Sequence, residues 1–181
     1  MNKYGSSAVI FLSGDDVMKV ELVEIKENEL KFAFRMHFKG FLHTFFKYRD
    51  WGNNPIFLVY PKFRKYFYSE NMFMYFIFCD DKPAGQLWIL KKENEIYLAR
   101  LFVLKEFQNN GIAARSLQLA EQIFSGRQRW SLDTIKEEKN NCHLYEKSGY
   151  KQTGTEKKIN KRMTIIEYEK EHNDELHSEL L

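Results

Sequence analysis

Leu101-Phe102-Val103-Leu104-Lys105-Glu106-Phe107-Gln108-Asn109-Asn110-Gly111-Ile112-Ala113 is the stretch on which the fold turns. An apolar strand runs into a short polar loop, and a glycine stands where the next helix begins. The first backbone N–H groups of a helix lack intrahelical partners and lie at the positive end of its dipole. A strand, a loop and a helix start in this order therefore make an anion site suited to phosphate. Gly111 lets the anion approach the backbone, and Ala113 is too small to obstruct it.

On the C-terminal side, Ala113, Leu117, Ala120 and Phe124 fall on one face of a helix with Gln118, Glu121 and Gln122 opposite, and Gly126 ends it. Trp130 to Ile135 is predicted as a strand, and Asn140 to Ser148 as a short helix closed by Gly149 in the left-handed conformation. Tyr150 to Thr155 and Met163 to Tyr168 form a hairpin. On the N-terminal side, Met18 to Ile25 alternates apolar and charged residues, as a half-buried strand does. Asn28 is placed to cap a helix from Glu29 to about Tyr48, with Gly40 as a break. After the loop Arg49 to Asn54, Pro55 or Pro61 opens a second helix through Phe67. Met72 to Cys79 is a buried central strand, Asp80-Asp81-Lys82-Pro83 a turn, and Gly85 to Leu90 and Ile96 to Leu104 two further strands.

That order predicts one α/β domain over residues 18–170: a mixed, mostly antiparallel sheet with helices on both faces. Residues 1–17 are an N-terminal extension and 171–181 an acidic tail expected to fray. The 181 residues suit a single core, and 44% apolar with 29% charged residues excludes a disordered or fibrous chain. Met72 to Cys79, the longest apolar run, is eight residues against the roughly 20 of a membrane-spanning helix. With no secretion signal in view, the expected location is the cytoplasm. Two cysteines cannot build a disulfide framework. The net charge of +3 hides an asymmetry: residues 167–181 hold six carboxylates and one lysine, so the first 166 residues carry +8. A moderately basic body fits an anionic ligand.

A second segment follows about thirty residues later, Asn141-Cys142-His143-Leu144-Tyr145-Glu146-Lys147-Ser148-Gly149-Tyr150. Gln108-x-x-Gly111-x-Ala113 after an apolar strand resembles the Q/R-x-x-G-x-G/A signature of the GNAT superfamily of N-acetyltransferases. The second segment is similar to that family's N-x-x-x-Y-E-K-x-G-F/Y. Gln108 stands where arginine is more frequent, and Ala113 replaces the second glycine.

The resemblance implies acetyl-CoA as cosubstrate and an amine as acetyl acceptor, attacked directly. It places Leu101, Phe102 and Val103 on a splayed strand offering backbone groups to the acetyl carbonyl and pantetheine arm, with an N–H near Phe102 or Val103 for the developing oxyanion. Gln108, Asn109, Asn110, Gly111, Ile112, Ala113 and Ala114 would hold the pyrophosphate. Asn141 would bond the pantetheine arm, and Tyr145 would be the catalytic acid that protonates the leaving thiolate. The i, i+4 spacing puts Asn141 and Tyr145 on one helix face. No general base is assigned, since Glu95 lies distant from the splay and is expected to be a solvated turn residue.

Other chemistries fare worse. Cys142 and His143 are adjacent, so on a helix they diverge by about 100 degrees and form no dyad. His172 and His177 lack a third ligand, and no metal site is expected. No triphosphate or dinucleotide loop motif occurs. Phe32 to Phe78 holds 18 of the 29 aromatics and seven Lys/Arg against two carboxylates, Asp50 and Glu70. Such interleaving can stack on nucleic acid bases. The plainer expectation is core packing plus an acceptor pocket, and no nucleic-acid partner is expected. The scarcity of carboxylates disfavours a polyamine and leaves a peptide N-terminus, an amino acid or another small amine. A homodimer is left open. The rival function is a catalytically inactive GNAT-fold acyl-CoA sensor or scaffold.

Overall fold

The computed structural model describes residues 8–10, 18–52, 54–126 and 129–171. In chain order these form strands β1 (Ala8–Ile10) and β2 (Val20–Glu24), helices α1 (Leu30–Tyr48) and α2 (Tyr60–Phe67), and strands β3 (Met72–Cys79), β4 (Lys82–Lys91) and β5 (Glu95–Val103). Helix α3 (Ile112–Ile123), strand β6 (Arg129–Ile135), helix α4 (Lys139–Lys147) and strands β7 (Lys151–Asn160) and β8 (Met163–Glu171) follow. The sheet order is β1-β2-β3-β4-β5-β6-β8-β7. Every neighbouring pair is antiparallel except β5 with β6, which α3 connects. The mixed sheet is therefore as expected, with β1 added at one edge from within the anticipated N-terminal extension.

Alternation along the strands assigns the layers, because successive side chains point to opposite faces. In β3, Met72, Met74 and Phe76 pack with Ala33 and Met36 of α1 and Phe63 and Phe67 of α2. Tyr75, Ile77 and Cys79 pack in a second cluster with Leu117, Leu119 and Ala120 of α3 and Cys142 and Tyr145 of α4. Helices thus cover both faces.

Helix α1 begins after a 3-10 turn, Glu27–Glu29, in which Glu29 accepts the Lys26 N–H at 2.8 Å. Asn28 lies inside that turn and is not the cap expected; Glu29 precedes α1, and its carboxylate reaches back three residues to close the turn without bonding the amides of α1. Gly40 does not break α1, which continues to Tyr48 because the glycine fills a tight contact described below. Pro55 opens a 3-10 turn, and Pro61 stands in the first turn of α2. Only Asp80 and Asp81 make the expected four-residue turn, with φ of 48° and 63°, since Lys82 and Pro83 already belong to β4. Glu121, expected on the solvent side of α3, instead accepts from Lys170 Nζ at 2.8 Å and the Tyr150 hydroxyl at 3.0 Å. Strand β8 continues to Glu171, and the remaining tail lies outside the described residues.

The C-terminal end of α1 is anchored to residues about 90 to 110 positions further along the chain. Lys47 Nζ and the Tyr48 hydroxyl both donate to Glu138 Oε1 at 2.7 Å, and Asn160 Nδ2 donates to the Tyr48 carbonyl at 3.1 Å. These bonds tie the end of α1 to the start of α4 and to the end of β7, beyond the level at which β5 and β6 have parted. Near the same end, Phe45, Trp51 and Phe57 form a ring cluster with centroids 4.8 to 6.0 Å apart, and Trp51 is 71% exposed.

Candidate active site

Strands β5 and β6 pair in parallel from Glu95↔Arg129 to Leu98↔Leu132 and then part. The β4–β5 register shifts at the same level, between Trp88/Ile89, where Ala99 is the extra residue. A bulge bends its strand and ends regular pairing, so Ala99 to Val103 have β4 on one side and, among the described residues, no strand on the other. The Leu104 N–H donates to the Ala84 carbonyl at 2.8 Å. Antiparallel bonds repeat every second residue, so Phe102 and Arg100 direct their backbone groups to β4, whereas Leu101 and Val103 direct theirs to the open edge. Of the two residues expected to offer an oxyanion donor, Val103 has its N–H on the open side and Phe102 does not.

Below this edge the loop enters α3. Gln108 Nε2 donates to the Val103 carbonyl at 2.8 Å, tying loop to strand. Asn109 and Gly111 adopt the left-handed conformation, with φ of 65° and 72°. Gly111 is the N-cap of α3 and no side chain caps the helix, so the amides of Ile112, Ala113 and Ala114 remain available. Arg115, which was not among the phosphate-binding residues expected from the sequence, curls back over this end. Its Nε lies 3.7 Å from where a Cβ on Gly111 would stand. Its spacing, four residues after the glycine, is the signal that could have exposed it. The loop and helix start thus combine backbone donors with one cation.

Helix α4 presents Asn141 and Tyr145 one turn apart. Asn141 is exposed and is the third residue of the helix, not its cap, which is Glu138. Tyr145 is 6% exposed, with its ring 6.0 Å from those of Tyr150 and Tyr168. Its hydroxyl has no hydrogen-bond partner among the described residues. Burial, with smaller contributions from Cys142 and Tyr97, pushes its pKa far up, so the phenol stays protonated and able to donate. Cys142 is buried beneath α4, its Sγ 3.7 Å from the Lys136 carbonyl, while His143 is exposed. They do not meet.

The model of the GNAT acetyltransferase domain matches residues 55–172. The chain belongs to the GNAT acetyltransferase family. No curated protein matches its sequence. Among solved structures, a ribosomal L7/L12 alpha-N-protein acetyltransferase in complex with coenzyme A superposes with a TM-score of 0.67 at 19% identity, covering 84% of this chain and 93% of that one. A spermidine N-acetyltransferase from Vibrio cholerae, in complex with CoA and spermine, gives 0.63 at 14% identity over 84% and 95%. The microcin C7 self-immunity acetyltransferase, in complex with acetyl-CoA and AMP, gives 0.65 at 15% identity over 84% and 92%. At these identities the likeness is one of fold.

In this GNAT chain the face of the gap opposite α3 carries groups that the sequence did not single out. The Tyr97 hydroxyl donates to Asp133 Oδ2 at 2.9 Å, bridging β5 and β6 close to their last paired residues. Arg100 shares a face with Trp88, its partner on β4. The His37 ring stacks on Trp88 at 4.8 Å and 21°, and His37 Nε2 lies 3.1 Å from the Pro55 carbonyl. That carbonyl can only accept, so Nε2 carries the hydrogen. Burial, with the Arg100 charge adding to it, lowers the His37 pKa to about 4, and the imidazole is neutral. Glu95 sits at the closed end of the gap, bonded to Ser131 and Lys92 with Arg129 3.6 Å away. Burial raises its pKa, but these partners outweigh burial and hold it below the usual carboxylate range. It is engaged in the sheet and is not the solvated turn residue expected.

Proposed function

We propose that the protein transfers an acetyl group from acetyl-CoA to a primary amine by direct attack. The observation that carries this reading is the parting of β5 and β6 beside the uncapped start of α3. The unpaired edge from Ala99 to Val103 and the free amides of α3 suit the two ends of one ligand, an amide-rich arm and a diphosphate.

Acetyl-CoA supplies an activated thioester. Leu101 and Val103 hold the pantetheine arm along the open edge, and the Val103 N–H faces the carbonyl oxygen on which negative charge develops. Asn109 to Ala114 and Arg115 bind the pyrophosphate. Gln108 fixes the loop against Val103, and Asn141 reaches the arm from α4. The amine nitrogen bonds to the acetyl carbon as the C–S bond breaks, and Tyr145 donates its phenolic proton to the sulfur. The proton lost by the amine restores the phenol, so amide and free thiol are the products.

Thermal unfolding with acetyl-CoA tests the binding half. A ligand at ~100 times its dissociation constant stabilises by about 2.7 kcal/mol, so a rise in melting temperature is expected. Thiol release with a panel of primary amines then tests transfer. No shift with acetyl-CoA overturns the proposal.

A further inference from the structure

Arg100 stands on β5 between the bulge at Ala99 and the open edge at Leu101, on the face covered by α1 and α2. It is a cation largely withdrawn from solvent, with no carboxylate in ion-pair reach among the described residues. Its Nη1 donates to the neighbouring Ala99 carbonyl at 2.5 Å, and its Nε is buried with no partner. Its electrostatic neighbours are the phenols of Tyr97 and Tyr66 and the neutral imidazole of His37, whose Nδ1 is also buried without a partner. Asp133, across the gap, accepts from Tyr97.

A buried charge without a counter-charge is costly, and removing water from a guanidinium without pairing it costs several kcal/mol. Such a group is normally neutralised within the protein. Here the surroundings are aromatic: Trp88, Tyr66, Phe41 and Phe102 pack about the His37 and Arg100 side of the sheet. The planar guanidinium fork matches a carboxylate in two-bonded geometry better than any other common group. It also stands one residue before Leu101, beside the edge where the acetyl group would lie.

We infer that Arg100 binds a carboxylate of the acceptor, so that the substrate is an amine that also carries a carboxylate, held between the guanidinium and the aromatic wall. This rests on the acetyltransferase reading of the site. The unpaired cation repels a polyamine, and it selects among amines through a charge that lies apart from the reacting nitrogen. Free amino acids and peptides with an acidic N-terminal residue share this chemistry.

The experiment measures thiol release from acetyl-CoA with matched acceptors: free amino acids against their carboxamides, C-terminally amidated dipeptides beginning with Asp or Glu against amidated ones beginning with Asn or Gln, and spermidine. Wild-type protein is expected to favour the carboxylates by about tenfold or more in kcat/KM. Turnover of the free amino acids, or of the acidic dipeptides alone, identifies the source. Arg100→Met should erase that preference while the acetyl-CoA-induced thermal shift is kept, and Arg100→Lys should retain part of it. If Arg100→Met fails to fold, Arg100→Lys and the wild-type preference decide. Equal use of carboxylates and carboxamides, preference for spermidine, or no turnover of any carboxylated amine overturns the inference while acetyl-CoA still binds. Absence of an acetyl-CoA shift in wild-type protein overturns the acetyltransferase reading beneath it.

Discussion

Gly40 of α1 rests directly on the ring of Phe102 in β5: a Cβ at Gly40 would stand 2.3 Å from Phe102 Cδ2. The ring has little freedom to retreat, because Phe41 lies 5.1 Å away and His37 6.2 Å away. The close approach of helix to strand is therefore set at this pair, next to the open edge of β5.

Gly40→Ala should destabilise the protein although alanine is the better helix former. Overpacking a core contact costs about 1–3 kcal/mol, against a propensity gain of roughly 1 kcal/mol. A fall of roughly 2–6 °C in melting temperature is expected for a chain of this size. A melting temperature at or above that of wild type would show that the ring yields freely.

Arg115→Ala should weaken binding of CoA without unfolding the chain. A hydrogen bond to a charged group contributes about 1.5–3 kcal/mol, so the dissociation constant should rise by roughly tenfold or more and become less sensitive to salt. Calorimetry with CoA at two ionic strengths reads both. An unchanged constant would leave the backbone amides alone as the phosphate site.

Tyr145→Phe should lower thiol release by about 10² or more and leave acetyl-CoA affinity almost unchanged, because only the hydroxyl is lost. Burial holds the wild-type phenol protonated well beyond its ordinary range, so wild-type activity should not decline through loss of this proton between pH 7 and 9. Equal rates for the two proteins would remove Tyr145 as the acid.

His37 should make stability depend on acid. Its pKa falls from 6.5 in the unfolded chain to about 4 in the folded one, chiefly through burial. A depressed pKa stabilises above 6.5 and is lost as pH falls towards 4, by at most roughly 3 kcal/mol. Melting temperatures of wild type and His37→Gln should therefore converge as pH is lowered from 7 to 4. Parallel curves would mean that His37 does not stay neutral in the fold.

Strands β2 to β8, the four helices and the loop before α3 were legible because they depend on local signals: the alternation of Met18 to Ile25, the apolar spacing of α1, and Gly111 after an apolar strand; β1, inside the expected extension, was not. What escaped depends on partners distant in sequence. Gly40 resembles a break until Phe102 is seen against it. The bulge at Ala99 is a matter of register between β4 and β5, and no residue type announces it. Arg100 is an ordinary strand residue until the absence of a carboxylate around it among the described residues is known. The capping assignment to Asn28 failed because Glu29 reaches back over Lys26, a competing local bond of equal plausibility.

The most direct test of the central claim, that the start of α3 holds the pyrophosphate, is calorimetric titration of CoA into wild-type protein and Gly111→Glu. The glutamate would set a carboxylate among the amides of Ile112 to Ala114, at a position with φ of 72°. Heat of binding in the wild type and none in a variant with an unchanged circular dichroism spectrum is the expected result. Equal affinity in both proteins would place the ligand elsewhere and contradict the claim.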